Sequence, residues 1–251
     1  MDLQLIRNAT IKIKYDGKTI LVDPMFSPKD TFDPFAGIAR NPTVDLTVSI
    51  DNILNDVDFV IVTHTHPDHF DTLASEKLPK DIKLFCQPAD KELMKKAGFV
   101  NAEVIEAKTV FENITFTRTG GKHGSGDILA HMGEVSGFVL QAENEPTLYI
   151  VGDSIWLDEV ENAITTFKPE IIVTNSGGAI IPGFENNPIL MNEEQTILLA
   201  QTAKNTKVIA VHLESLDHCR VTRTSLRQKA TEQGIDENRL IIPTDGQLVT
   251  L

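Results

Sequence analysis

The stretch Val57-Asp58-Phe59-Val60-Ile61-Val62-Thr63-His64-Thr65-His66-Pro67-Asp68-His69 runs a short apolar, β-branched segment directly into a histidine cluster. A run of this length and composition, broken only by Asp58, suits a buried strand. His64 and His66 stand two apart on extended backbone leaving that strand, so their side chains project to one side. Pro67 disfavours helical torsions at His66 and itself suits the first turn of a helix, which predicts that Asp68 and His69 begin one. Three imidazoles and a carboxylate then converge at one strand-to-helix corner, and such a donor set suits a transition-metal ion.

Strand and helix signals alternate outward from this corner. Upstream, residues 11–14 and 19–22 read as a β-hairpin around Asp16-Gly17, a dipeptide that tolerates the positive φ of a tight turn. Residues 23–44 carry Pro24, Pro28, Pro34, Gly37 and Pro42 and show no period; an irregular stretch this long is usually functional or mobile. Downstream, residues 82–85 read as a strand, Pro88 opens a helix whose Leu93, Met94 and Ala97 share a face, and Gly98 stops it. The middle is β-rich, with strands expected at 104–105, 114–117, 137–141 and 147–151. Asp158 can cap a helix with Val160, Ile164 and Phe167 on one face, and residues 171–173 follow as strand. Asn192 and Gln195 form a capping pair ahead of a helix at 197–203, and a strand follows at 208–211. A helix over 222–233 and a terminal strand within 243–251 end the chain. No linker composition interrupts this order, which predicts one domain over residues 1–251, with two β-rich halves each flanked by helices.

The balance of 36 acidic against 23 basic residues leaves a net charge of −13 over 251 residues. That field repels polyphosphate backbones and anionic lipid surfaces, so neither nucleic acid nor a membrane is an expected partner. Met1 to Leu5 lacks the basic and apolar regions of a signal peptide, and no apolar run is long enough to span a bilayer. Two distant cysteines, Cys86 and Cys219, make no disulfide framework and are expected to pack as small hydrophobes. A cytoplasmic location is the expectation.

The motif HxHxDH after a strand, here His64 to His69, resembles the metallo-β-lactamase superfamily, and the resemblance extends over essentially the whole chain. It implies an α/β four-layer αββα sandwich, two mixed β-sheets flanked by helices. In that superfamily the remaining ligands arrive singly at strand ends. The matches are His123 in Gly120-Gly121-Lys122-His123-Gly124, Asp153 in Tyr149-Ile150-Val151-Gly152-Asp153, and His212 in Val208-Ile209-Ala210-Val211-His212. The resemblance implies that His64, His66 and His123 hold one divalent metal ion and that Asp68, His69 and His212 hold a second, with Asp153 bridging. Zinc suits these ligands first, manganese or iron next. A metal pair lowers the pKa of a shared water, and the resulting hydroxide would attack a carbonyl carbon or phosphorus. Asp68 would also orient that hydroxide and pass its proton to the leaving group. Asp23, in Leu21-Val22-Asp23-Pro24, stands where the superfamily's first motif does and is the candidate to fix an imidazole; an Asx-turn before Pro24 is the structural alternative. His218 is a candidate to line the pocket. Arg220, with Arg223 beside it, is a candidate to bind an anionic substrate group. The backbone of Asn175-Ser176-Gly177-Gly178 offers a nest.

Asp153 stands where class B β-lactamases commonly have cysteine, which disfavours antibiotic hydrolysis. Only 39 residues follow His212, too few for the extra helical domain of glyoxalase II enzymes. What remains is similar to the branch containing ascorbate-6-phosphate lactonase. The expected function is therefore a dinuclear metal-dependent hydrolase that cleaves an ester, lactone or phosphoester of a small molecule. A phosphodiesterase and a non-hydrolytic iron redox protein on the same fold are the alternatives. Two divalent ions would offset the ligand carboxylates, so a small anionic substrate stays compatible with the acidic chain.

Overall fold

A computed structural model describes residues 1–251. The chain opens with β1 (Asp2–Arg7), β2 (Thr10–Tyr15) and β3 (Lys18–Val22), an antiparallel series. The β2–β3 turn takes positive φ at both Asp16 and Gly17, as the Asp-Gly signal requires. Strands β4 (Phe59–Val62), β5 (Lys83–Cys86) and β6 (Ala102–Val104) then add in parallel beyond β3, with α1 (Ile50–Leu54), α2 (Thr72–Lys77) and α3 (Lys91–Lys96) between them.

The second sheet holds β7 (Lys108–Phe111), β8 (Ile114–Thr119), β9 (Gly137–Gln141) and β10 (Leu148–Ile150) as an antiparallel run, with the short α4 (Leu129–Met132) before β9. It continues in parallel through β11 (Ile171–Asn175), β12 (Lys207–Val211) and β13 (Leu240–Ile241), linked by α5 (Asp158–Phe167), α6 (Glu193–Thr202) and α7 (Arg223–Glu232). Finally β14 (Leu248–Thr250) returns to pair with β1. The sheet orders are β14-β1-β2-β3-β4-β5-β6 and β13-β12-β11-β10-β9-β8-β7, two mixed sheets of seven strands.

Strand β4 shows why its sequence is continuously apolar. Phe59 and Ile61 enter the core between the sheets, while Val60 and Val62 face the layer that contains Ile53, Ala74 and Met94 of α1 to α3. The inter-sheet core draws on both sheets, and Phe59 meets Phe85 and Phe116 edge-on at 5.6 and 5.7 Å. Helices α5, α6 and α7 cover the outer face of the second sheet through Val160, Leu199 and Leu226. The order of layers is helix, sheet, sheet, helix. No helix is long and apolar enough to cross a membrane.

Several local expectations need correction. Residues 67–70 form a turn, with the N–H groups of His69 and Phe70 both donating to the His66 carbonyl, and regular helix starts only at Thr72. Asp71, whose carboxylate accepts from Ala74 N at 2.6 Å, is the cap that sets that boundary. Asp158 is the first residue of α5 rather than its cap. Leu93 is exposed while Met94 is buried. Strands β1, β7 and β13 lie where the sequence showed no strand signal.

The irregular stretch after β3 is tied down along its length. Buried Arg7 donates to the carbonyls of Met25, Ser27 and Val44, and Asp71 accepts from the N–H groups of Phe26 and Ser27. Further on, the Asp217 carboxylate accepts from the N–H groups of Phe35, Ala36, Ile38 and Ala39 and from Asn41 Nδ2. These bonds carry Phe35 to the edge of the sandwich where β3, β4, β8, β10, β11 and β12 end.

Candidate metal centre

Those strand ends bring seven side chains together. His64, His66 and His123 form one group of metal-donor atoms, and Asp68, His69, Asp153 and His212 a second; within each, the donor atoms lie within 4.8 Å of one another. In the first group His66 Nδ1 is 3.1 Å from His64 Nε2 and 3.3 Å from His123 Nε2. In the second, Asp68 Oδ2 is 3.1 Å from His212 Nε2, and Asp153 Oδ2 is 3.2 Å from His69 Nε2. Asp153 Oδ2 also lies 3.4 Å from His123 Nε2 and 3.9 Å from His64 Nε2, so a single oxygen faces both groups.

The far side of each imidazole decides which nitrogen is free. His64 Nδ1–H donates to Thr63 Oγ1, His123 Nδ1–H to the Ile189 carbonyl, His69 Nδ1–H to Asp23 Oδ2 at 2.8 Å, and His212 Nδ1–H to Cys219 Sγ at 3.5 Å. With Nδ1 engaged on the far side, each of these four turns Nε2 toward the centre. His66 is reversed and turns Nδ1 inward. Asp23 is itself held by the N–H and hydroxyl of Thr63, both at 2.7 Å, so the geometry puts it behind His69 rather than in an Asx-turn.

This arrangement fits divalent ions. A tetrahedral ion with ligand bonds of about 2.1 Å holds its donors about 3.4 Å apart, the spacing seen across both groups. His69 Nε2 is sealed from solvent at the middle of the cluster and, although Asp153 Oδ2 lies 3.2 Å away, makes no well-formed hydrogen bond, a buried polar atom left unsatisfied. Burial pushes His64 well below the usual imidazole range and His123 down to about 4, keeping both neutral. Burial acts the same way on His69, but Asp153, Asp23 and Asp68 outweigh it and lift His69 to about 10. His212 is likewise raised against burial, chiefly by Asp153. Burial favours the neutral acid at Asp68 and Asp153, yet the His69 and His212 imidazoles hold both carboxyls well below their usual range. Ionised carboxylates buried without a lysine or arginine partner call for cationic charge at the centre.

The backbone is strained where it delivers these groups. His212 and Asp23 adopt φ of +63° and +45°, left-handed torsions that cost about 1–3 kcal/mol each for a residue other than glycine. The glycines beside them are sterically required: a Cβ on Gly152 would sit 2.7 Å from the Ser136 carbonyl oxygen, and one on Gly177 would sit 2.3 Å from that of His212.

The centre opens into a cavity of about 220 Å³ whose walls include Phe35, Met132, Ile181, Ile189 and His218, with His66, Asp68 and His123 at its base. His218 therefore reaches the pocket. Arg220 does not: it is exposed, bonds the Asp217 carbonyl through Nη1, and is absent from the lining. Arg223 is paired with Glu214 and Asp245. The Asn175 segment makes no nest, because Ser176 N and Gly178 N donate to the Val211 and Met191 carbonyls. Asn175 instead donates from Nδ2 to Asp153 Oδ1 at 2.5 Å.

Sequence reasoning missed Asn175 as the partner of Asp153, although its position at a strand end was a usable signal. It also missed Cys219 as the partner of His212, and Asn8, which donates to the Asp68 carbonyl and accepts from His212 N. Nothing in the sequence around Asn8 or Cys219 marks these contacts.

Comparison with known proteins agrees with this geometry. The β-lactamase superfamily domain matches residues 18–213. The UPF0173 protein YddR of Bacillus subtilis is 42% identical over the full length of both chains. Two solved structures, each 37% identical and covering 100% of this chain and 99% of their own, superpose closely. One is a possible metal-dependent hydrolase from Veillonella parvula, with a TM-score of 0.96, and the other an isothiocyanate hydrolase from Delia radicum gut bacteria, with a TM-score of 0.94. Along with these, a UPF0173 metal-dependent hydrolase of Sulfolobus acidocaldarius is 23% identical over 99% of both chains. The chain thus belongs to the UPF0173 metal-dependent hydrolases of the metallo-β-lactamase superfamily.

Proposed function

We propose that the protein is a dinuclear hydrolase that adds water to an electrophilic carbon in a small uncharged molecule, with isothiocyanates as the leading substrate class. The observation that carries this reading is a donor cluster opening into a small cavity walled by Phe35, Met132, Ile181 and Ile189, with no lysine or arginine in its lining. The isothiocyanate hydrolase that is 37% identical over the whole chain supports the choice of electrophile.

His64, His66 and His123 would hold one ion, and Asp68, His69 and His212 the other, with Asp153 shared; the histidine-rich set favours zinc over manganese or iron. Two bound ions supply hydroxide near neutral pH and stabilise the negative charge that develops on the substrate. The chain's own groups do the rest. The apolar walls bind the organic substituent and exclude bulk water. Asp68, at the cavity base with Oδ2 turned toward His212, accepts the proton released as oxygen bonds to carbon and delivers it to the departing nitrogen. For an isothiocyanate the reaction is R–N=C=S + H₂O → R–NH₂ + COS: oxygen bonds to the central carbon, both components of its N=C double bond break while the R–N bond stays, and both protons of water end on nitrogen.

A phosphodiester or phosphorylated lactone, as the likeness to ascorbate-6-phosphate lactonase would suggest, needs a cationic cradle, and Arg220 and Arg223 are committed elsewhere. The test is turnover of benzyl isothiocyanate, δ-valerolactone and bis(p-nitrophenyl) phosphate by zinc- or manganese-loaded protein, with His66→Ala as the blank. The isothiocyanate should be preferred in kcat/KM by about 10²-fold or more over the phosphodiester. Preference for the phosphodiester, or equal rates in His66→Ala, overturns the reading.

A further inference from the structure

Only one polar side chain in the cavity lining belongs to neither donor group, and it is His218. Its residue is 5% exposed, and its Nδ1 is sealed from solvent without a hydrogen-bond partner. Folded proteins rarely leave a buried ring nitrogen unpaired, and a catalytic role is one of the few reasons they do. The ring is nonetheless held firmly in place. Phe35 packs edge-on against it, with centroids 5.2 Å apart at 81°, and the His212 ring lies 6.4 Å away on another side. The backbone is fixed as well: the His218 carbonyl accepts from Ile180 N, and the preceding residue, Asp217, gathers the N–H groups of the segment that carries Phe35. An imidazole so fixed, beside a metal centre yet outside its donor set, is placed to meet a bound molecule.

We propose that His218 is a further catalytic residue, the hydrogen-bond donor of the cavity, whose ring N–H engages the heteroatom of the group under attack. As the oxygen of water bonds to the central carbon, the π pair of the C=N or C=S bond moves onto nitrogen or sulfur, and His218 steadies that atom. A fixed donor aimed at developing charge is favoured because it needs no reorganisation during the reaction. The proposal rests on the hydrolytic reading above and names the residue that recognises the reacting group.

The test compares His218→Phe, which keeps a ring against Phe35 but removes both nitrogens, with His218→Gln, which restores an N–H donor. Three quantities are read on zinc-loaded protein: metal content, kcat and KM for benzyl isothiocyanate, and calorimetric affinity for benzylurea, an inert neutral molecule with a comparable polar group. His218→Phe should keep the wild-type metal content, lose about 10²-fold in kcat and bind benzylurea about tenfold more weakly, and His218→Gln should recover part of both. Unchanged kcat and benzylurea affinity in His218→Phe overturn the proposal, as does loss of metal from that variant, which would make the residue part of the metal centre. If His218→Phe does not fold, His218→Gln against His218→Leu reads the same quantities. If the wild-type protein turns over no isothiocyanate, the hydrolytic reading fails by itself, and the benzylurea affinities still decide whether His218 contacts a ligand.

Discussion

The two donor groups are alike in spacing and opposite in electrostatics. In the first, His64, His66 and His123 have Thr63 Oγ1 and the Ile189 carbonyl behind them, both neutral, and burial keeps His64 and His123 unprotonated. In the second, Asp68 stands among the donors and Asp23 behind His69, and the carboxylates outweigh burial to hold His69 and His212 high. His64 and His123 are therefore already in the protonation state a metal requires. Protons occupy the second group until a metal displaces them. Asp153 belongs to both regimes, because one of its oxygens faces His69 and His212 as well as His64 and His123.

That contrast predicts the largest effect at Asp153. Asp153→Ala should remove the shared oxygen, bring metal content below one per chain and reduce hydrolysis to the level of the metal-free protein. A variant that still binds two ions would show that the groups are independent. Asp23→Asn should separate them: the amide no longer fixes His69 as a carboxylate does, so affinity at the second group should fall by about 10–100-fold while the first is spared. Titration of the variant with zinc, followed by calorimetry, should resolve one unchanged and one weakened site; equal weakening of both breaks the comparison.

The same contrast explains what the sequence could show. Each member of the cluster follows a strand or a tight corner, where a polar residue after an apolar run stands out, and His64, His66, His123, Asp153 and His212, which the structure brings together, stood out in the sequence for that reason. Asp23 was legible too, since it ends β3. The order of strands and helices followed from apolar runs and from caps such as Asn192, which accepts from Gln195 N as its sequence suggests. Strand β7 was not legible, because its alternately exposed Lys108-Thr109-Val110-Phe111 lies at a sheet edge and lacks a continuous apolar signal. The walls were also hidden. Phe35 and Ile189 sit on irregular segments with no period, and only long-range bonds to Asp217 and His123 bring them to the donor cluster. Arg220 misled for the opposite reason: it is near His218 in the chain, but its side chain turns back to Asp217.

The walls supply a smaller prediction. Asp217→Ala leaves the N–H groups of Phe35, Ala36, Ile38 and Ala39 and Asn41 Nδ2 without their acceptor. Both donor groups are built from other elements, so metal content should be unchanged. Stability should fall by about 1–3 kcal/mol, and KM for an apolar substrate should rise more than kcat falls. An equal loss of metal would show that the wall and the centre are not separable.

A last prediction concerns proton exchange at the second group. Without metal, His69 has a folded-state pKa of about 10 against an ordinary 6.5, and His212 is raised in the same direction. A raised pKa means that the folded chain binds protons more tightly than the unfolded one. The resulting stabilisation is complete below pH 6.5 and is lost as pH rises toward 10. His64 and His123 are depressed, so their contributions change below pH 6.5 and leave this window alone. With metal bound, the His69 and His212 nitrogens no longer take up these protons, and the term disappears. Groups remote from the centre titrate alike in both forms and cancel in the difference. The melting temperature of chelated protein should therefore fall further between pH 6.5 and 10 than that of zinc-loaded protein, by about 2–4 °C for each kcal/mol lost in a chain of this size. Parallel curves across that window would mean that the carboxylates do not hold protons on the second group, and the electrostatic distinction between the two groups would fail.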